Sequence, residues 1–420
     1  MKFSRRSLLR GAGAAGVAGV FGTAALSGSA GAAPEASRSA DWGDQPEPEP
    51  YDEYTTRRVP EDYETIQAAV NDAEPRDLVL VGSGVYNERV EVNDTPRLTI
   101  RGIDRNEVVL DGEYGGYTGI TITSDDVVIE NLTVRHWEYG VYWVGVEGYR
   151  GSHITAYNNT EYGIYAFNAR YGRFEHCYSS GCDDAGFYIG QSQPADAVIT
   201  DCIAEYNAMG YSGTNAGGNL VISDSVWRNN MSGIVPNTLD SQDQAPQGNV
   251  AGGIRVENNE IYNNNNLNAP AYSLAYPPFG NGITVAGGTQ NDIVDNEIRD
   301  QVKYGIAVTP IIDDNFWRAR GNVIARNTVE GSGRVDLALG APASNNRFED
   351  NEFDASRPAA IESRDDSIGD PWVFLQMGKD FAQTMLGGYH SGETAEQPEP
   401  DPQPNMPDPE GPPKQTIGGR

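Results

Sequence analysis

The chain has 420 residues, enough for one large domain or two to three ordinary ones, and carries 60 acidic against 30 basic residues for a net charge of −30. That balance excludes a basic nucleic-acid-binding face, and three cysteines are too few for a disulfide framework, so packing must hold the fold. The same acidity suits high salt, where a screening length of about 3 Å at molar ionic strength removes most self-repulsion.

At the N-terminus, Ser4-Arg5-Arg6-Ser7-Leu8-Leu9-Arg10 precedes an Ala/Gly-rich stretch from Gly11 to Ala30 and the small residues Ala30-Gly31-Ala32. A charged region, a soft apolar region and a small-residue cleavage site define residues 1–33 as a twin-arginine-type signal peptide. The mature protein is therefore expected to be secreted or held at the cell surface. Beyond this segment no apolar run is long enough to span a bilayer. Residues 34–58 form an acidic, Pro-rich linker. Next, Ile66, Ala69, Val70 and Ala73 are spaced as one face of a short helix, suited to closing the open end of a repeat array.

From here one repeat explains the chain. Gly-apolar-x-apolar recurs at Gly119, Gly140, Gly163, Gly186, Gly210, Gly233, Gly282 and Gly305, in steps of 21, 23, 23, 24, 23, 49 and 23 residues. A second track follows in most units, as Val127-Val-Ile-Glu-Asn, Phe174-Glu-His-Cys, Val198-Ile-Thr-Asp, Leu220-Val-Ile-Ser-Asp and Ile254-Arg-Val-Glu-Asn. Short period-2 strands between Gly and Asn turns, repeating at this interval, are the coils of a β-solenoid. The expected architecture is an all-β, single-stranded right-handed parallel β-helix of about ten coils over residues 59–365. The double-length step marks loops near Asn237 to Gly252 and Asn264 to Asn281, which hold Tyr272, Tyr276 and Phe279. Residues 366–390, with Trp372-Val-Phe-Leu, are expected to cap the far end, and the Pro/Asp/Glu-rich residues 391–420 to be extended and disordered.

These repeats resemble the right-handed β-helix repeat family within the pectin-lyase-like superfamily, over roughly Tyr63 to Glu362. The opening Thr65-Ile-Gln-Ala-Ala-Val and Asp77-Leu-Val-Leu-Val-Gly-Ser-Gly-Val-Tyr look like the start of many such proteins. The resemblance implies the fold. It does not carry one activity, because Gly-His-Gly, Arg-Ile-Lys, Asp-Phe-Ile-Phe-Gly and Trp-x-Asp-His are all absent.

Stacked coils about 4.8 Å apart turn the repeat into a surface map. The x position faces outward, and there Tyr142, Tyr165 and Tyr188 fall in consecutive coils, an aromatic strip suited to sugar rings. Two residues before the Gly, Glu138, Glu161 and Asp184 also stack, and hard oxygen ligands so spaced suit Ca²⁺. Asp183-Asp184 faintly resembles the paired aspartates of polygalacturonases and is a candidate acid–base pair. Lys303, the only lysine between Lys2 and Lys379, is a candidate base. His136, His153 and His176 occupy successive coils but different columns, which argues against a histidine metal cluster; each reads as a polar turn or surface residue, with a general-base role open to any one of them. The Asp201, Asp224, Asn259, Asn296, Asn327 and Asn351 column, with His176 in register, reads as turn chemistry. Cys177 and Cys202, one residue further on, would be adjacent rungs where a disulfide is geometrically open.

Two functions follow. One is a monomeric, exported enzyme acting on a polysaccharide, a lyase or epimerase of a uronate polymer. The other is a non-catalytic surface or glycan-binding scaffold. The fold family adds a third, a NosD-like exported accessory protein, which the few scattered Met and His residues do not favour.

Overall fold

The computed structural model describes residues 48–240, 252–271, 279–363, 368–386 and 397–416. The signal peptide, Tyr272 and Tyr276 lie outside the described residues, as does part of the linker.

Each coil carries short parallel strands on three faces. The first complete coil runs Leu78–Val81 on face one, Gly84–Tyr86 on face two and Val90–Val92 on face three. Strands of the next coil pair with each in register. The Gly-marked track is face three and the second track is face one. Face two, with strands as short as Glu352–Phe353, has no sequence signature of its own. The solenoid has about 12 turns where about ten were expected. The additional turns are at the start, where Thr56–Val59 and Leu78–Val81 stack ahead of Thr99–Gly102, which is face one of the first Gly-marked coil.

Alternation along face three sends Ile120, Val141, Ile164, Phe187, Tyr211, Ile234, Ile283, Ile306 and Leu337 inward, all fully buried in one continuous core. Each such side chain contributes roughly 1.5–3 kcal/mol.

The corners explain the polar residues. Face one turns into face two through Asn131, His153, His176, Asp201, Asp224, Asn258, Asp295, Arg326 and Asp350, all at φ between 50 and 58°. The left-handed region is where Asn and Asp are most tolerated. The residue after each points inward: Cys177, Cys202 and Ser225, then Asn259, Asn296, Asn327 and Asn351. Asp201, Asp224 and His176 therefore stand one column away from the Asn ladder with which the sequence alignment grouped them. Within that ladder each Nδ2 donates to the next Oδ1, at 3.0 Å from Asn259 to Asn296 and 2.9 Å from Asn296 to Asn327 and from Asn327 to Asn351. Two more ladders occupy the other corners, Asn207–Asn230–Asn264 and Asn291–Asn322–Asn346. Cys177, Cys202 and Cys182 are free, buried thiols.

The helix Ile66–Asp72 closes the first coils as expected, with Ile66, Ala69 and Val70 buried in the core. The Thr65 hydroxyl accepts from Ala68 N at 3.1 Å, and the Glu88 carboxylate accepts from Ile66 N and Gln67 N at 2.8 and 2.9 Å. At the far end the helix Pro371–Leu386 lies on the flank of face three rather than over the core, its Val373 packed with Tyr304, Ala307 and Ala338. Ile361 joins the core at that end instead, and Glu362 accepts from Asn351 to finish the ladder.

Residues 397–416, expected as a disordered tail, run extended across faces two and one of the early coils. They are fastened from Asn158 Nδ2 on the Gln397 carbonyl to the Thr416 hydroxyl on Asp126. Their last residues pair antiparallel with residues 49–51, through Tyr51 N to Pro413 O and Gln415 N to Glu49 O. Composition alone read this segment as solvated because its partners, corner residues hundreds of positions earlier in the chain, are invisible locally. Among the described residues no helix is long and apolar enough to cross a membrane.

Candidate functional site

The stacking read from the sequence is present. Thr121, Tyr142, Tyr165 and Tyr188 are register partners on successive coils of face three. The tyrosines do not form a flat exposed strip, however. Tyr142 and Tyr165 stack at 4.4 Å and 15°, but Tyr188 turns edge-on to Tyr165 at 87°. Tyr188 is 1 % exposed and Tyr165 8 %, packed with Tyr162, Met209 and Val235. Gly190 is required here, because a Cβ would stand 2.0 Å from the Tyr188 ring. The cluster reaches solvent through Tyr117 and the part-buried Tyr139, Tyr142 and Phe167.

The carboxylate column is also in register, with Glu161 N donating to Glu138 O and Asp184 N to Glu161 O. Asp184 accepts from the Tyr162 hydroxyl at 3.0 Å, anchoring the tyrosine cluster. Asp183 and Asp184 are both buried, which removes them as a solvent-facing acid–base pair. Burial, with Asp184 and Glu161 adding to it, pushes the Asp183 carboxyl up to about 8. Among the described residues no group of three or more His, Cys, Asp or Glu side chains is placed to hold a metal ion.

Lys303 has a different task. Its ammonium pairs with Asp380 at 3.3 Å, the same carboxylate that Arg334 grips, and sits 5.0 Å from the Phe279 ring centre. Burial lowers its pKa while Asp380 opposes the shift. Its role is to pin the C-terminal helix to the solenoid.

His136, named from the sequence without partners, stands at the centre of a second cluster. Its Nδ1 lies 2.9 Å from Asp111 Oδ1, and the other Asp111 oxygen accepts from Arg135 Nε at 2.8 Å. Arg135 also donates to the Tyr157 hydroxyl at 2.5 Å. Burial works against the Asp111 charge, yet the Glu113 amide, His136 and Arg135 together hold its carboxyl below the usual range. The Tyr114 ring covers His136 at 4.3 Å, on a backbone held at φ 57°. A left-handed, half-exposed tyrosine is strained, and such strain concentrates at working sites. A carboxylate on Nδ1 fixes the imidazole and leaves Nε2 as the nitrogen for a ligand. The available signal was register, since Asp111 pairs with Arg135 across adjacent coils and so lies beside His136.

His153 and His176 share one corner column, correcting the separate columns assigned from sequence, with ring centres 4.8 Å apart. Burial, then His176 and Arg105, lower His153 to about 4.

The three-faced parallel coil and its ladders define a class, and the comparison with known families agrees. The family described as "right handed beta helix region" matches residues 93–242 and 145–311, more than half of the chain. The chain belongs to that family. Among solved structures, XylC in complex with xylose matches with a TM-score of 0.51 at 9% identity, covering 71% of this chain and 75% of that one. The A-module of mannuronan C-5 epimerase AlgE4 from Azotobacter vinelandii matches at 16% identity and a TM-score of 0.47, covering 68% and 90%. An alginate lyase from Paenibacillus sp. str. FPU-7 matches at 16% identity and a TM-score of 0.43, covering 71% and 99%. At these identities the XylC likeness is one of fold. No curated protein matches the chain.

Proposed function

We propose that this is an exported polysaccharide-binding protein whose ligand lies against the exposed tyrosine edge, and that His136 exchanges a proton with it. The carrying observation is the His136–Asp111 pair beneath the strained, half-exposed Tyr114. Tyr117, 54 % exposed, with its hydroxyl 3.4 Å from that of Tyr139, extends the same edge. Aromatic faces meet the apolar faces of sugars, and the hydroxyl rim meets their polar edges.

A uronate polymer suits the chemistry. Lyases and epimerases both begin by removing the proton α to the uronate carboxylate. A lyase then breaks the C4–O bond, leaving a C4=C5 double bond and returning a proton to the departing oxygen. An epimerase returns the proton to C5 from the opposite face. An imidazole oriented by a carboxylate serves as base for either course.

The test is incubation with alginate, polygalacturonate and glucuronan at high salt, followed by ultraviolet absorbance of unsaturated ends and by NMR of the anomeric protons. Turnover lost in His136→Asn supports the reading; unchanged turnover in that variant removes His136 from it. Retention of polymer without turnover would favour a binding scaffold, to which the closed packing of Tyr165 and Tyr188 also conforms.

A further inference from the structure

In a chain of net charge −30, three arginines line the path of residues 397–416. Arg101 is 1 % exposed and Arg105 2 %. Arg101 shares Glu130 at 2.6 Å, but its remaining donors end on main-chain carbonyls of the strap, Pro409 at 3.1 Å, Gly411 at 2.6 Å and Pro412 at 3.4 Å. Arg105 has no carboxylate partner among the described residues. It donates to Thr155 Oγ1 and Ile154 O, both at 2.7 Å, and to the strap's Pro404 O at 3.1 Å. Arg135, from the His136 cluster, reaches the strap's Glu399 at 3.5 Å. Corner amides complete the track: Asn106 exchanges two hydrogen bonds with Gln403, and Asn131 accepts from Met406 N.

Two physical points single this track out. A guanidinium is all donors, while a Pro-rich extended segment lacks many N–H groups and leaves its carbonyls free of internal bonds, so the strap offers an excess of acceptors. And a buried cation satisfied only by neutral oxygens is poorly compensated, since removal from water is costly unless an anion stands beside it. Burial lowers Arg105 to about 10. The occupant is itself an extended acidic polymer, carrying Glu399, Asp401, Asp408 and Glu410.

We propose that the track Arg101–Arg105–Arg135, with Asn106 and Asn131, is a binding groove for an acidic, extended uronate chain, and that residues 397–412 are its built-in competitor. The proposal rests on the polysaccharide reading above and extends the same site, because Arg135 joins the groove to the His136–Asp111 pair. A uronate carboxylate placed at Arg105 supplies the counter-charge that a carbonyl does not. The ligand then lifts the strap and passes beside His136, so occupancy of the groove and access to the site are coupled.

The experiment uses the full chain, wild type beside Asn405→Ala and Glu399→Gln. Asn405 accepts from Arg105 N and donates to Asp104, so its loss loosens the middle of the strap. The exposed Glu399 removes one competing carboxylate without touching the core, and keeps the test open should Asn405→Ala fold poorly. Binding of oligogalacturonate and oligomannuronate, with xylo-oligosaccharide as neutral control, is measured by calorimetry. Hydrogen exchange at the amides of Met406, Gln415 and Tyr51 is followed alongside. Loosening the competitor is expected to tighten oligouronate binding by about tenfold in Asn405→Ala and about threefold in Glu399→Gln. In the wild type, saturating oligouronate is expected to speed exchange at those amides. Binding with unaltered strap exchange and equal affinity in all three chains overturns the groove but leaves glycan binding at the tyrosine edge intact. Binding of xylo-oligosaccharide alone overturns the groove and the uronate assignment together. No binding of any oligosaccharide overturns both readings.

Discussion

The early and late coils share one backbone and dispose of their polar residues in opposite ways. In the coils from Asn259 onward, the corner after face one is a stack of buried asparagines, each satisfied by the next. In the early coils the equivalent inward positions are Leu132, Ile154, Cys177 and Cys202, and the polarity has moved to the outer surface. There Arg101, Glu130, Arg150 and Glu175 form an alternating ladder, with contacts of 2.6, 2.9 and 2.6 Å, whose first member Arg101 holds the C-terminal strap. Burial disfavours the Glu175 charge, but Arg150 and Arg173 hold its carboxyl down to about 2. The difference separates tasks. Late coils spend their polar groups on internal register, and early coils present theirs to the strap.

The largest test of this division is in the late ladder. Asn296 makes hydrogen bonds to Val256 O, Val294 O and Asn327 while accepting from Asn259. Asn296→Ala strands several buried partners and is expected to cost about 3–4 kcal/mol in denaturant unfolding. Cys177→Ala, at the corresponding early position, should cost about 1 kcal/mol, as loss of a small buried group. Equal costs would break the comparison.

Next is His136→Asn, a change the left-handed corner tolerates. It is expected to lower turnover of the uronate polymer at least about hundredfold while Tm stays within a degree or two. A matching loss of Tm would make His136 structural.

Asp183 tests charge in the early coils. Its folded-state pKa of about 8 lies above the ordinary aspartate value of 3.8, so the native state holds its proton more tightly than the unfolded chain does. That stabilisation is complete below pH 3.8 and is lost as pH rises through about 8. Asp183→Asn should therefore raise stability at pH 9, on the order of 2 kcal/mol relative to wild type, and change little at pH 4. Thermal melts across that range decide it.

The smallest effect belongs to the tyrosine edge. Tyr117→Ala, at an exposed ring, should weaken glycan retention by about fivefold, roughly 1 kcal/mol, with no change in melting. Tyr188→Ala should instead lower Tm, because that ring is packed inside the cluster. Reversal of the two outcomes would restore the flat-strip picture.

The repeat, and with it the solenoid, was legible in the sequence. A β-coil recurs in sequence because every turn faces the same core and the same corners, so period and inward column can be read by alignment. The same logic placed Tyr142 beside Tyr165 and Glu138 beside Glu161. Three things were decided only by the tertiary structure. Whether an outward residue meets solvent depends on what lies over it, which is why Tyr188 and Asp183 proved buried and Lys303 proved an anchor for the C-terminal helix. The His136–Asp111 pair forms across a corner, between residues whose side-chain directions no repeat pattern states. The strap joins residues 397–416 to coils some 300 positions earlier, as in Arg105 to Pro404, a separation of 299. Local composition describes a segment's affinity for water, and only the folded surface opposite it determines whether that affinity is exercised.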